Sequence, residues 1–365
     1  MRRVLLTFLV LLAAALGYLL FAPEDIEPAA WQPQAAPSSS NGPYAGNELL
    51  KSIERIALNI GKGPESVAFE TQGRIYAGFE DGRVARFEPD GTGYNMIANT
   101  GGRPLGLFVH PDGSVIVCDA ENGLLRISPE GQLGVLSMTA EEVPFHFTND
   151  LAVTADGSKV YFTDASWKYG YGHSTEDIVE HQAHGRFLVY DFNTGKTSVL
   201  LRGMQFANGV ALGPDEAFVL INETGSYRIA RYWLKGAKAG TSDVFADNLP
   251  GFPDNITFNG KDRFWVALYA PRTPIADWLA SYPYLRKMVM RALRILPLPV
   301  KSQAFALAFD PQGRLVANLQ YDGSDAYYPV TSVREHPNGY LYFGSLSARS
   351  LGRIKMPPLP AGIRE

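Results

Sequence analysis

Four polar residues stand at the same point of a repeated sequence pattern, although long stretches of chain separate them. Glu65, Asn149, Asn208 and Asp254 each stand at the start of a short run of alternating apolar residues. Two carboxylates and two amide carbonyls form a set of hard oxygen donors, which suits Ca²⁺ with its about six to eight ligands and is poor for zinc. Asn255, beside Asp254, lies at the margin of this set. The residue types therefore predict a shared calcium site, provided that the fold brings these positions together.

The same residues also have a purely structural interpretation. Asn149-Asp150, Asn208-Gly209 and Asp254-Asn255 are dipeptides that commonly form turns, so each of them alone is expected to be a turn before a strand. Their recurrence in one phase of the repeat favours a shared ion site over a set of unrelated turns.

The repeat that positions these residues is a β-hairpin followed by further short strands. Residues 144–169, PFHFTNDLAVTADGSKVYFTDASWKY, contain two alternating apolar strands around the turn Ala155-Asp156-Gly157. Similar units begin near Gly63, Arg103, Phe206, Phe252 and Val330. Units of this kind predict an all-β protein, a six-bladed β-propeller whose innermost strands converge on a central channel; seven blades is the alternative count.

The two ends of the repeat predict how the ring closes. The strand at Leu49–Ile56 precedes the first unit and has no partner there, whereas the last unit lacks a strand at its edge. Pairing the two would remove an open sheet edge, which is the usual solution in such folds. We therefore expect the propeller to span residues 49–360.

Two insertions interrupt the repeat. The first, residues 168–184, carries His173, His181 and His184, which we expect to be solvated, with a reach to the channel mouth as the alternative. The second, residues 273–298 in the fifth blade, has apolar residues at helical spacing with arginine and lysine between them. Such a basic amphipathic helix predicts either contact with a membrane surface or a lid packed on the propeller.

The N-terminus predicts a membrane segment. A pair of arginines precedes Val4–Phe21, which carries no charge, and two acidic residues follow. This length just crosses a bilayer core of about 30 Å, so we assign residues 1–24 to an uncleaved signal anchor, with a cleaved signal peptide as the alternative. The arginines predict a cytoplasmic N-terminus and a propeller on the periplasmic or lumenal side. Residues 25–48, rich in Pro, Ser and Ala, are predicted to be a linker.

Composition excludes other classes of protein. Of the 365 residues, 46% are hydrophobic and 19% are charged, which excludes a disordered chain. The net charge is −4 and the sequence has no dense Lys/Arg patch, so nucleic acid is not an expected partner. The single cysteine, Cys118, lies in an apolar run and is expected to be a buried structural thiol.

Several separate motifs resemble those of a known family. FTNDLAVTADGSKVYFTDASWKY, FANGVALGPDEAFVLINET, LPGFPDNI and VTSVREHPNGYLYFGSL are similar to segments of the strictosidine synthase-like proteins, which include the adipocyte plasma membrane-associated proteins. The resemblance runs from about Leu49 to Met356 and extends to the wider six-bladed superfamily of gluconolactonases and paraoxonases. It implies a calcium ion in the central channel. The implied ligands are Glu65, Asn149, Asn208 and Asp254, with Asn255 at the margin.

Some positions depart from the relatives of known chemistry. Thr331 stands where strictosidine synthase has a glutamate before its last blade, so condensation of tryptamine with secologanin is not expected. Leu105 and Ala120 stand where paraoxonases have a histidine pair, so that dyad is absent. Ser66 replaces the acid that helps paraoxonases to hold a second calcium, which argues against a second ion although Asp150 is present.

The donor set and the resemblance lead to two functional hypotheses. The first is a membrane-anchored, calcium-dependent hydrolase of esters or lactones, of arylesterase or lactonase type, in which the ion is a Lewis acid in the channel. Asp254 would be its nucleophile or general base, and Asp119 is a second candidate base whose alternative role is that of a strand-end or turn acid. The second hypothesis is a non-catalytic propeller that binds a ligand or a protein and uses calcium as a structural pin.

Overall fold

Short alternating strands separated by glycine-containing turns form six antiparallel sheets of four strands each. The computed structural model describes residues 1–297 and 301–358. Residue 298, at the end of the predicted second insertion, and residues 359–360, at the predicted end of the propeller, lie outside this description. The predicted six-bladed β-propeller is confirmed.

The ring closes through the strand that precedes the first blade. This strand, β1 (Glu54–Ile56), pairs antiparallel with the last strand of the chain, and Arg55 lies opposite Gly352. The predicted pairing is therefore confirmed. The strand is shorter than the predicted Leu49–Ile56, because the chain turns before it and buries Leu50 between the last two blades.

Within a blade, four strands follow one another along the chain, and the first strands of adjacent blades contact each other around the channel. Blade 1 contains β2 (Val67–Phe69), β3 (Ile75–Gly78), β4 (Arg83–Phe87) and β5 (Asn95–Asn99), and blade 2 contains β6 (Pro104–Val109), β7 (Val115–Asp119), β8 (Gly123–Ile127) and β9 (Leu133–Ser137). A small hairpin of β10 (Thr139–Ala140) and β11 (Val143–Pro144) follows. Blade 3 contains β12 (Thr148–Val153), β13 (Lys159–Asp164), β14 (Gly185–Asp191) and β15 (Lys196–Met204).

The last three blades follow the same plan, and β1 completes the sixth. Blade 4 contains β16 (Ala207–Leu212), β17 (Phe218–Glu223), β18 (Arg228–Trp233) and β19 (Ser242–Ala246). Blade 5 contains β20 (Gly251–Phe258), β21 (Phe264–Pro271), β22 (Ala304–Phe309) and β23 (Leu315–Tyr321). Blade 6 contains β24 (Ser332–Glu335), β25 (Tyr340–Gly344) and β26 (Leu351–Lys355).

The innermost strands of blades 2 to 5 share a β-bulge close to their first residue. Each bulge encloses two residues, and the enclosed pairs are Leu105-Gly106, Asn149-Asp150, Asn208-Gly209 and Asp254-Asn255. These pairs are therefore part of a strand, and their interpretation as turns is wrong. A bulge changes the direction in which a side chain points and is common next to functional sites.

The helices that interrupt the blades all lie at one end of the channel. They are α2 (Ser174–Glu180) in blade 3 and α3 (Pro274–Leu279) and α4 (Pro283–Ile295) in blade 5; α1 (Arg2–Phe21) lies at the N-terminus. Thr148 pairs with Asp164 and Gly251 with Pro271, so the chain leaves β13 and β21 at the end where β12 and β20 begin. We term this end of the channel the mouth.

Helix α4 forms where the sequence predicts it, but two of its three arginines, Arg286 and Arg291, are buried. Arg286 Nη1 donates to Val179 O at 2.7 Å in the last turn of α2, and Arg291 Nη1 donates to Leu19 O at 2.7 Å in the last turn of α1. The final carbonyls of a helix lack partners within the helix, so these guanidinium groups satisfy them. The apolar residues that a lid would bury are instead partly or largely exposed, as Ile295 illustrates.

The predicted linker is packed along the propeller over much of its length. Trp31 N donates to Ala280 O at 3.1 Å, and Arg272 Nη2 donates to Gln34 O at 2.6 Å. Further along, Asn318 Nδ2 donates to Ala45 O at 2.9 Å. Two side chains and one backbone carbonyl of blade 5 therefore hold the predicted linker at three points, a pattern that composition alone does not predict.

Candidate metal site at the mouth of the channel

The bulges bring the predicted ligand positions to the mouth, where all of them are buried. Asn255 Nδ2 donates a hydrogen bond of 2.5 Å to Glu65 Oε1. The Asn208 amide lies beside the Asp254 carboxyl, and its Nδ2 donates to Thr224 Oγ1 at 3.1 Å. Asn149 lies in the bulge of blade 3, next to the blade that contains Asn208, and is buried. Residues from blades 1, 3, 4 and 5 therefore meet at one end of one channel.

Two buried carboxyl groups in this cluster resist ionisation. Burial raises the pKa of Asp254 to about 8. Burial, and then the charges of Asp254 and Asp150, raise the pKa of Glu65 well above its usual range. A carboxylate that is desolvated beside another carboxylate is stabilised by a nearby cation, which removes both causes of the shift.

The cluster also contains several buried oxygen atoms without a hydrogen-bond partner in the part of the chain that the structure describes. They are Glu65 Oε2, Asn149 Oδ1, Asn208 Oδ1, Asn222 Oδ1 and Asn255 Oδ1. Every one of these atoms is an acceptor, and an unsatisfied buried acceptor costs about 1–3 kcal/mol. A hard cation binds to the lone pairs of oxygen atoms and needs no hydrogen-bond donor. This group of oxygen atoms therefore fits calcium.

The same donor set does not fit a metal that prefers nitrogen or sulfur. Over residues 1–297 and 301–358, no group of three or more His, Cys, Asp or Glu side chains is placed to hold a metal ion. An ion at the mouth would therefore depend on amide oxygens beside the carboxylates of Glu65 and Asp254. Zinc and copper sites are built differently, from imidazole and thiolate ligands.

Side chains at the end of each second strand hold the bulge of the next blade. Thr163 Oγ1 donates to Asn208 O at 2.7 Å, and Asn222 Nδ2 donates to Asp254 O at 2.6 Å. Cys118 makes the equivalent contact, since its Sγ donates to the carbonyl of Asp150 at 3.5 Å. Cys118 is buried as predicted, and burial raises the pKa of its thiol.

Asn222 is a residue of this site that the sequence analysis missed. Its Nδ2 fixes the backbone of Asp254, while its Oδ1 has no partner among the described residues. The available signal was its position, because Asn222 stands at the same point of β17 as Cys118 in β7 and Thr163 in β13. Only the propeller geometry shows that this point touches the next blade.

Thr331, at which the sequence predicts a departure from strictosidine synthase, has a supporting role at the mouth. The side chain is fully buried, and its Oγ1 donates to Glu65 O at 2.7 Å. Its own carbonyl accepts the backbone N–H of Asn255 at 3.0 Å. Thr331 therefore joins the two blades that provide Glu65 and Asn255.

Leu105 and Ala120 form part of an apolar wall beside the ligands. They pack in one cluster with Phe147, Ala165 and Phe206, and the partly buried Tyr171 of the first insertion lies against the same cluster. Phe147 contacts Phe206 edge-on at 5.3 Å between ring centroids. Leu105 and Ala120 therefore give this side of the mouth an apolar surface.

Asp119, the second candidate base, is occupied by backbone hydrogen bonds. Its Oδ1 accepts the N–H groups of Arg103, Glu121 and Asn122 at 3.1, 3.0 and 2.9 Å. This pattern is that of an acid that holds a turn, and it agrees with the alternative role stated from the sequence. Its Oδ2 is buried and has no partner among the described residues.

The acids equivalent to Asp119 in the next two blades support that structural role. Asp164 accepts the N–H of Phe147 and pairs with Arg186 at 2.6 Å, and Glu223 accepts the N–H of Gln205. Each of these acids ends a second strand and holds the segment that enters the first strand of its blade. Blade 2 differs because a glycine lies opposite Asp119 where blades 3 and 4 have an arginine.

A positive side chain already lies near Asp150, below the ligands. Burial raises the pKa of Asp150 to about 6, and the guanidinium of Arg334 opposes that shift. Asp150 Oδ2 also accepts the N–H of Val210 at 2.9 Å. A backbone N–H and a guanidinium therefore both favour the ionised form of Asp150. The expectation drawn from Ser66, that no second ion binds, stays a prediction.

The three histidines of the first insertion do not share one environment. His181 stacks on Trp31 at 4.1 Å between ring centroids, and His184 Nδ1 lies 3.0 Å from Asp177 Oδ2. Both are buried, so the expectation that they are solvated is wrong for these two and holds for the exposed His173. Burial lowers the pKa of His181 to about 4.

Two family models match the sequence, and curated relatives share about a third of its residues. The strictosidine synthase model matches residues 149–237, and the strictosidine synthase-like N-terminal model matches residues 42–87. Strictosidine synthase-like protein 10 of Arabidopsis thaliana is 35% identical over 84% of this chain and 88% of the relative. The adipocyte plasma membrane-associated protein of Salmo salar is 34% identical over 88% of this chain and 82% of the relative.

Solved structures share the fold at much lower identity. A gluconolactonase of Xanthomonas campestris superposes with a TM-score of 0.61 and 17% identity, covering 93% of this chain and 99% of the other. The calcium-binding protein regucalcin of Agrobacterium tumefaciens gives a TM-score of 0.56 and 12% identity, covering 85% and 93%. At these identities the likeness shows the propeller fold alone.

Proposed function

This chain belongs to the strictosidine synthase-like family, and from that premise we propose that it is a membrane-anchored, calcium-dependent hydrolase of esters or lactones. The observation that carries the proposal is the group of buried, acceptor-only oxygen atoms at the mouth. Glu65, Asn149, Asn208 and Asp254 would hold the ion, and Asn255 would orient Glu65. A bound calcium supplies a Lewis acid that polarises the carbonyl oxygen of an ester.

The residues around the ion prepare the carboxylate of Asp254. Asn222 fixes its backbone carbonyl, and the amide of Asn208 beside its side chain favours the ionised form. Its pKa of about 8 without metal means that it can hold a proton near neutral pH. It is the candidate nucleophile or general base of the reaction, because Asp119 and Asp150 accept backbone N–H groups and Glu65 accepts the side-chain amide of Asn255.

The two roles of Asp254 give different isotope patterns. During turnover in ¹⁸O water, a nucleophilic carboxylate expels the alcohol of the ester and forms a mixed anhydride, and attack of water on the aspartyl carbon of that anhydride leaves ¹⁸O on Asp254. A general base only removes a proton from water and stays unlabelled. Mass spectrometry of the peptide that contains Asp254 therefore distinguishes the two roles.

We also propose that the mouth faces the membrane, with the N-terminus on the cytoplasmic side and the propeller outside. Helix α1 is long and apolar enough to span a bilayer, and none of its residues is buried against the propeller. Arg291 and Tyr284 of α4 bind carbonyls in the last turn of α1, which fixes α4 next to the emerging span. Trp278 and Ile295 are exposed there, and aromatic and apolar side chains favour the membrane interface.

The first test is an assay of the full-length protein in detergent or nanodiscs with a panel of aryl esters and lactones. Turnover is measured with calcium, after chelation, and after calcium is restored. We expect activity that disappears and returns, and that Asp254→Asn abolishes. Asp262→Asn is the matched control, because the side chain of Asp262 is 62% exposed and far from the mouth in its turn at the start of β21. Unchanged turnover in Asp254→Asn contradicts the proposal.

A non-catalytic propeller with a structural calcium is the alternative. It is favoured by Thr331, which has only structural contacts, and by the apolar Leu105 and Ala120 at the mouth. Under this alternative, chelation lowers the melting temperature while no ester or lactone is hydrolysed. The same panel and a thermal melt with and without calcium separate the two functions.

A further inference from the structure

Arg103 is a fully buried arginine at the mouth that has no carboxylate partner among the residues that the structure describes. It is 1% exposed, and its Nη2 donates to Gly63 O at 2.8 Å. Its Nε and Nη1 have no hydrogen-bond partner within residues 1–297 and 301–358. Among the other buried arginines, Arg186 pairs with Asp164 and Arg272 with Asp277, whereas Arg286 and Arg291 bind backbone carbonyls at helix ends.

The guanidinium lies between the metal ligands and the apolar wall. Its charge acts on Glu65 and opposes the rise of that carboxyl's pKa. The ring centroid of Tyr171, from the same wall as Leu105, is 5.8 Å from its Cζ. Arg103 immediately precedes β6, so its backbone is held firmly, and Asp119 accepts its backbone N–H.

Asp119 is the obvious partner for Arg103, yet the two side chains do not pair. Asp119 Oδ1 is bonded to backbone N–H groups and Oδ2 is left without a partner, while the guanidinium is directed to Gly63 instead. In blades 3 and 4 the equivalent acids pair with an arginine of their own blade. Blade 2 therefore keeps one guanidinium unpaired, and it does so next to the candidate metal site.

We propose that Arg103 is an anion-binding residue of the mouth, which holds a carboxylate or phosphate group of the ligand beside the cation site. A planar guanidinium offers parallel N–H donors that match the two oxygens of such a group. A buried cation without a partner is costly, and a bound anion removes that cost. The inference also names the substrate class of the proposed hydrolase as anionic esters or lactones. Only this statement about the substrate rests on the proposed function; anion binding does not.

Binding of the anion is tested separately from turnover, on the full-length protein in detergent with calcium bound. The probes are benzoate, phenylphosphonate and the neutral benzyl alcohol, whose Kd values are measured by isothermal titration. We expect at least one anion to bind about tenfold or more tightly than the alcohol, because a hydrogen bond to a charged group is worth that factor or more. The preference between benzoate and phenylphosphonate distinguishes a carboxylate ligand from a phosphate ligand.

Variants assign the preference to Arg103. Arg103→Met is expected to abolish it, and Arg126→Met, at an exposed arginine paired with Asp112, is expected to retain it. Arg103→Lys keeps the charge without the planar guanidinium, so it should retain a weaker preference for the anionic probes. This variant provides the test if Arg103→Met does not fold. Equal binding of the three probes by the native protein, or an undiminished preference in Arg103→Lys and Arg103→Met, overturns the inference.

Turnover then separates this inference from the proposed hydrolase. An aryl ester and its carboxylate-bearing analogue are compared in the native protein, and the anionic ester is expected to have the lower KM. Anion binding that depends on Arg103 without hydrolysis of either ester would retain the inference and reject the hydrolase. Hydrolysis of both esters, with KM values that Arg103→Met does not change, would support the hydrolase and reject the role of Arg103.

Discussion

Asn255 Nδ2 donates a hydrogen bond to Glu65 Oε1 at 2.5 Å, although 190 positions separate the two residues. The bond joins blade 5 to the segment that enters blade 1. Because Oε1 is held by the amide, Oε2 is the oxygen that remains without a partner among the described residues. The pair therefore determines which oxygen of Glu65 is available to a cation.

Replacing Asn255 with Leu should weaken calcium binding. The change removes the donor that orients Glu65 and leaves a second carboxylate oxygen unsatisfied. We expect the Kd for calcium to rise about tenfold, the factor that corresponds to one hydrogen bond to a charged group. Isothermal titration with calcium measures it. Asn259→Leu, in the exposed turn after β20, is the control, and an equal effect of both changes would contradict the role of Asn255.

Stability of the calcium-free protein should fall as pH rises from about 4 to about 8. Asp254 has a folded pKa of about 8 against a reference value of 3.8, so the folded state keeps a proton that the unfolded state has lost. Stability decreases wherever the folded state binds more protons, and the loss is complete above the folded pKa. Melting temperatures in the presence of a chelator measure the slope, and Asp254→Asn should reduce it.

Calcium should remove much of the same slope, because the cation stabilises the ionised form of Asp254. A slope that is identical with calcium, with chelator and in Asp254→Asn would falsify the assignment of Asp254 to the ion site.

Gly209→Ala should destabilise the contact between blades 4 and 5. A Cβ at this position would lie 2.5 Å from Ile256 N and 2.6 Å from Asn255 Cα, which are backbone atoms of the neighbouring bulge. Overpacking of this kind costs about 1–3 kcal/mol. Thermal or urea unfolding measures the loss. Gly134→Ala is the control, since the nearest atom to its added Cβ is 3.9 Å away.

Asp119→Asn should preserve folding and turnover better than Asp119→Ala. The asparagine keeps the acceptor that holds the backbone N–H groups of Arg103, Glu121 and Asn122, whereas the alanine removes it. Loss of such an acceptor costs about 1–3 kcal/mol for each buried donor left unpaired. Urea unfolding and the pH profile of turnover are the measurements. Abolished turnover in a well-folded Asp119→Asn variant would restore Asp119 as the base.

Trp278 should lie at the lipid interface when the protein is in nanodiscs. Its indole is exposed on α3, beside the helix that binds the end of α1. We expect brominated lipids to quench part of the tryptophan fluorescence of the native protein. This quenched part should be absent in Trp278→Phe. Trp233→Phe, on the third strand of blade 4, should leave the quenched fraction unchanged. Quenching that is the same in Trp278→Phe and native protein would place this face away from the bilayer.

The sequence by itself determined the number of blades, the closure of the ring and the common phase of Glu65, Asn149, Asn208 and Asp254. These features depend on alternation with a period of two and on turn residues, both of which are local and can be read along one strand. The length and apolar character of α1 are local for the same reason.

Only the tertiary structure decided that the ligand pairs occupy bulges, that Asn222 supports Asp254, that two arginines of α4 are buried and that Arg103 has no carboxylate partner among the described residues. Each of these depends on which carbonyls and carboxylates come close from distant parts of the chain. Helical spacing predicts α4 but not its orientation, because the carbonyls at the ends of α1 and α2 that bind Arg291 and Arg286 come from distant parts of the chain.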